Sequence, residues 1–105
     1  MSYTINLQKI ADELDFDLED VEMLIEVFLE SAVDSLKELK SAIDSNNLEM
    51  IFHSAHAIKG SAANLTLMNI ANIAKFIEHN ARENKDIDYN KYFNDINSEI
   101  NKITV

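Results

Sequence analysis

The chain has no cysteine, no proline and a single glycine, Gly60, in 105 residues. Without cysteine, disulfides and thiolate metal sites are excluded. Without proline, and with glycine at one position, almost nothing interrupts a helix. Cations are also scarce. Nine Lys and Arg stand against nineteen Asp and Glu, for a net charge of -10. Nucleic acid and anionic membranes both select clustered positive charge, so neither is an expected partner. No apolar run reaches the roughly 18 residues of a membrane span, and no secretory signal opens the chain. A cytoplasmic location is the simplest expectation.

Hydrophobic residues make up 47% and charged residues 27%, a balance that folds rather than staying disordered. The length fits one small domain over residues 1–105, too small for a large enzyme cleft. No repeat, low-complexity stretch or Pro/Gly/Ser-rich linker divides it.

Apolar residues recur at steps of three and four, and no segment alternates like a strand. A short first helix is expected over about Ile5 to Leu14. Asp17 is a candidate N-cap for a long second helix, whose inward stripe is Leu18, Val21, Ile25, Phe28, Ala32, Leu36, Leu39 and Ile43. Ser45-Asn46-Asn47 breaks it, because these residues favour caps and turns. A third helix follows from about Leu48 to Ala63, with Leu48, Ile51, Phe52, Ala55, Ile58 and Ala62 inward. In the turn Asn64-Leu65-Thr66, asparagine suits a left-handed helix end and threonine a new cap. The fourth helix is expected from about Leu67 to Arg82, with Ile70, Ala74, Ile77 and Ala81 inward. Asn84-Lys85-Asp86 ends it. The last helix spans about Asp88 to Lys102, with Tyr89, Phe93, Ile96 and Ile100 inward. Four such amphipathic helices with short connections make an all-α antiparallel four-helix bundle, with the short N-terminal helix covering one end.

The lone glycine falls inside the third helix, where it costs roughly 1 kcal/mol relative to alanine. It follows His56 by one turn. At about 100° per residue, His56 lies at the edge of the Ala55/Ile58/Ala62 stripe. Phe52 stands one turn before it, and Lys59 and Gly60 one turn after. Ala63 continues the same low face, which another protein's surface can approach. Imidazole suits reversible transfer of a charged group near neutral pH. Lys59, about 4.5 Å further along the axis, is placed to screen a phosphoryl group and donate to it.

Such chemistry needs one ring nitrogen to attack while the other donates to a fixed acceptor. Glu78 is the candidate acceptor. The third and fourth helices form a hairpin centred near Leu67, and positions 56 and 78 are equidistant from it. Glu78 also sits at the margin of its own helix's core stripe. His53 has no Lys-Gly at the same spacing and is expected to be a surface or packing residue.

His56-Ala57-Ile58-Lys59-Gly60-Ser61-Ala62-Ala63-Asn64-Leu65 resembles the signature of histidine-containing phosphotransfer (HPt) domains. The resemblance continues at Phe76-Ile77-Glu78, where members often carry an apolar residue followed by Glu or Gln. In extent it is nearly the whole chain. It implies that His56 is phosphorylated, that Lys59 aids phosphate binding, that Gly60 leaves room for the partner and that Glu78 orients the imidazole. Thr66 departs from the pattern, since many members have glycine after Asn-Leu, and this bears on the turn rather than on the phosphoryl site.

The resemblance also implies a phosphorelay protein rather than a self-sufficient enzyme. No Gly-rich phosphate loop or ATP-binding segment is evident. The implied partners are response regulator receiver domains and a sensor or hybrid histidine kinase. The resemblance implies no cofactor on the chain itself, with magnesium expected from the receiver's acidic site. Phe52, Gly60 and Ala63 form the expected docking patch. A monomer is expected, and Met1 fits a stand-alone protein.

Two other readings compete. Glu49, His53 and His56 can share a helical face, with Glu78 adding a fourth metal ligand. Against this, carboxylate-bridged metal bundles draw paired Glu-x-x-His ligands from two helices, and no histidine here has a glutamate three residues before it. The second alternative is a bundle that docks receivers without transfer. Intact Lys59 and Gly60 beside His56 count against it.

Overall fold

The computed structural model describes residues 4–103. Five helices follow in order: α1 Leu7–Leu14, α2 Leu18–Asp44, α3 Leu48–Asn64, α4 Met68–Arg82 and α5 Tyr89–Asn101. No strand occurs among the described residues. Helices α2 to α5 form a closed ring in which each packs on two neighbours, α2 on α3 and α5, and α4 on α3 and α5. Short connections reverse the chain each time, so the ring is an antiparallel four-helix bundle. The short α1 packs on α2.

The inward stripes follow helical spacing. On α2, Val21, Ile25, Phe28, Ala32, Leu36, Leu39 and Ile43 are buried. Leu18 is not, because it opens the first turn and remains 41% exposed. On α5, Tyr89, Ile96 and Ile100 are buried, while Phe93 is half-buried against the core, as are Phe52 and Leu48 on α3.

The pairing of α3 with α4 is the most extensive in the molecule. Both helices bury the same alternation at the same spacing: Ile51, Ala55, Ile58 and Ala62 on α3, and Ile70, Ala74, Ile77 and Ala81 on α4. The alanines of this alternation let the two backbones approach closely. Side chains flanking this seam can therefore reach across it.

Helix ends explain how the chain manages with one glycine. Asp15, Asn46, Thr66 and Asn84 all have positive φ, between 52° and 58°. Each follows the end of a helix, and the next residue's amide donates back across the turn: Phe16 to Ala11, Asn47 to Ala42, Leu67 to Ala62 and Lys85 to Asn80. These bonds satisfy carbonyls that a helix terminus leaves free. Asp and Asn tolerate the left-handed conformation, but β-branched Thr66 does so at a cost.

The turn between α3 and α4 is therefore displaced from its expected place. Asn64 remains helical, Thr66 takes the left-handed position, and Leu67 precedes α4 with no side-chain cap. Other caps use side-chain carbonyls and carboxylates. Asn6 accepts from the Lys9 amide, Asn47 from Met50 and Asp88 from Lys91. Asp17 makes no side-chain capping bond, although it occupies the N-cap position of α2. No described helix is long and apolar enough to cross a membrane.

Candidate functional site

His56 and Lys59 stand one turn apart on α3, at the edge of the seam with α4. Glu78 stands on α4, next to the buried Ile77. The close α3–α4 pairing brings Glu78 to both. His56 Nδ1 lies 3.3 Å from Glu78 Oε2. Lys59 Nζ lies 2.9 Å from the same oxygen and 3.0 Å from Oε1. One carboxylate thus holds an ammonium with both oxygens and an imidazole with one.

Carboxylate oxygens of ionised Glu78 only accept, so Nδ1 is the donor in this pair. The neutral ring then carries its lone pair on Nε2. The His56 side chain is 61% exposed, whereas that of Glu78 is only 9% exposed. The acceptor is buried and the imidazole is open to solvent. Burial pushes the Glu78 carboxyl up. The hydrogen bonds from Lys59 and His56, with their charges, outweigh burial and hold it below the ordinary glutamate value.

The pairing of Lys59 with Glu78 was not legible in the sequence. Lys59 was expected to face a phosphoryl group and Glu78 to face His56. Both ideas concern His56, and neither considers that the two flanking charges would find each other. The signal is present in retrospect: a cation three residues after His56 shares its edge of α3.

Phe52 was expected in a docking patch. It is half-buried against the core, and its ring lies parallel to that of His56, with centroids 6.0 Å apart at 14°. Its other neighbour is His53, edge-on at 5.3 Å. His53 is exposed, with Nε2 3.8 Å from Glu49. Among the described residues no three His, Cys, Asp or Glu side chains converge as metal ligands. The set Glu49, His53, His56 and Glu78 splits into two separate pairs.

Gly60 and Ala63 are exposed on the same helix. The φ of Gly60 is not positive, so its backbone does not require glycine. A Cβ built there would meet nothing within 4 Å. Neither the helix nor the packing of this chain excludes a side chain at that position.

The Hpt domain family model matches residues 23–103, most of the chain. The chain belongs to the Hpt domain family. Members of this family are histidine phosphotransfer intermediates of phosphorelays, and kinases and response regulators are the partners that the family implies. No curated protein sequence matches this Hpt domain. Its fold is similar to the crystal structure of histidine-containing phosphotransfer protein B (HptB) from Pseudomonas aeruginosa PAO1. The TM-score is 0.77 at 19% identity, over 90% of this chain and 80% of that one. The family-model match over residues 23–103 takes in α3, α4 and α5 and most of α2.

Proposed function

We propose that this Hpt domain accepts a phosphoryl group on His56 Nε2 from an aspartyl phosphate of a receiver domain, and returns it to another receiver. The observation that carries the reading is the Nδ1–Glu78 contact, which leaves Nε2 unpaired and exposed. In the transfer, the Nε2 lone pair attacks phosphorus and the P–O bond to the aspartate breaks. The aspartate leaves as carboxylate, and the ring becomes an N-phosphoimidazolium with its proton still on Nδ1. Glu78, already ionised, is placed against the positive charge this creates. The reverse step reforms the acyl phosphate and restores the neutral ring.

Lys59 acts in this account by changing partners. In the unmodified protein it is held by Glu78. A phosphoryl group on Nε2 brings about two negative charges within its reach, and the flexible lysine stem turns to meet them. Gly60 supports the docking half of the reading. Since nothing inside the chain needs the missing side chain, the space it leaves suits the receiver's approach. Ala63 extends this low surface toward the helix end. The receiver brings the magnesium and most of the electrostatic stabilisation, while this domain contributes a positioned nucleophile. A cytoplasmic, monomeric relay between a sensor or hybrid kinase and response regulators fits this division of labour.

The test is incubation with a phosphorylated receiver domain. The native protein takes up an acid-labile, base-stable label, and His56→Gln takes up none while keeping its helicity. Undiminished labelling of His56→Gln refutes the assignment. Receiver binding that survives His56→Ala, with no transfer by the native protein, identifies a docking bundle without transfer.

A further inference from the structure

We propose that Phe52 is a positioning residue for the His56 ring rather than a contact for the partner. The inference rests on the phosphotransfer reading of His56. Glu78 alone does not fix the imidazole. Its one contact, at 3.3 Å to Nδ1, restrains a single corner of a ring that is 61% exposed. Partial rotation about the bond joining Cβ to the ring tilts the ring plane and swings Nδ1 out of reach of the carboxylate. A second restraint, on the plane of the ring, is required.

Phe52 supplies it. Long side chains on a helix lean toward the preceding turn, so the His56 ring projects over the residue four positions earlier. That residue is Phe52, whose ring lies within 14° of parallel to the imidazole at 6.0 Å, inside the range of aromatic pairs. Phe52 is itself held, because it is half-buried against the core cluster and braced edge-on by His53. Glu78 thus fixes the Nδ1 corner from α4, while Phe52 fixes the plane from within α3. The two restraints act at different atoms and leave Nε2 pointing outward. A ring committed to the His56 face also offers less of its own surface to a partner.

The two roles for Phe52 separate kinetically. Transfer from a phosphorylated receiver is followed over a range of receiver concentrations for native protein, Phe52→Leu and Phe52→Tyr. Melting by circular dichroism checks that each variant is folded. Positioning predicts that Phe52→Leu lowers the saturating rate by about tenfold, the scale expected when a reacting group is slightly misplaced. The concentration at half-saturation stays within twofold, and Phe52→Tyr, which keeps the ring, restores the rate. A saturating rate within twofold of native, or a change confined to half-saturation, overturns the proposal.

Ring nitrogen NMR of His56 gives a readout independent of transfer. The native protein is expected to show a predominant Nδ1–H tautomer, and Phe52→Leu a mixed population that Phe52→Tyr reverses. If native protein is not labelled at all, the phosphotransfer reading fails, and the tautomer comparison alone decides whether Phe52 orders the ring. An unchanged tautomer population in Phe52→Leu then overturns it.

Discussion

Gly60 is the residue at which stability and proposed function pull in opposite directions. It is helical, exposed and unopposed within the chain. Gly60→Ala should therefore stabilise the domain by about 1 kcal/mol, raising the melting temperature by several degrees. The same methyl group should slow transfer from a phosphorylated receiver. A variant that is both more stable and equally fast would remove Gly60 from the docking surface. Glu78 offers a second test at this scale. Its folded carboxyl lies below the ordinary value, so its contribution is complete above the ordinary value of 4.5 and is lost as pH falls through the lower folded value. Lys59→Met removes the two short contacts to Glu78 while burial remains. The carboxyl should then titrate higher than in native protein, as measured by side-chain carbon NMR. The acid limb of the stability curve should flatten, with about 1–2 kcal/mol lost at pH 7. An unchanged Glu78 titration would show that the ion pair does not form in solution. The approach of Glu78 to His56 was legible, because helical spacing and hairpin symmetry place the two without side-chain detail. The Lys59–Glu78 pair and the Phe52–His56 stack were not, because each depends on rotamers that spacing leaves open.

At the scale of elements, the helices were legible from periodicity, and their ends less so. The α3–α4 turn shows why. Asparagine is the commoner left-handed residue, so Asn64 drew the expectation, yet Thr66 carries the positive φ of 58°. The bonds from the Thr66 and Leu67 amides to Ala63 and Ala62 decide the matter, because they satisfy the end of α3 only when the helix runs one residue longer. Thr66→Gly should accordingly stabilise the protein by about 1 kcal/mol by relieving a β-branched residue of this conformation. Denaturant midpoints check it, and a destabilised variant would mean that the turn does not adopt the left-handed form. Leu18 is another departure. It matches the α2 stripe in spacing but opens the helix, so it lies beyond the part of the stripe that the bundle covers.

For the whole molecule, α2 sets the frame. Its 27 residues give about 40 Å of helix, close to the 42 Å long axis of the protein. The shorter α3 and α4 pack closely through alternating isoleucine and alanine, and this seam holds His56 and Glu78 side by side. The bundle was legible because four apolar stripes joined by short turns have few other ways to bury themselves. The central claim is that the seam commits Nδ1 of His56 to Glu78 and leaves Nε2 to carry phosphorus. Phosphorus–nitrogen couplings in ring-labelled protein, phosphorylated by a receiver domain, measure this directly. The account predicts a single phosphorus species coupled to His56 Nε2; phosphorus on Nδ1, or on any residue other than His56, would contradict it.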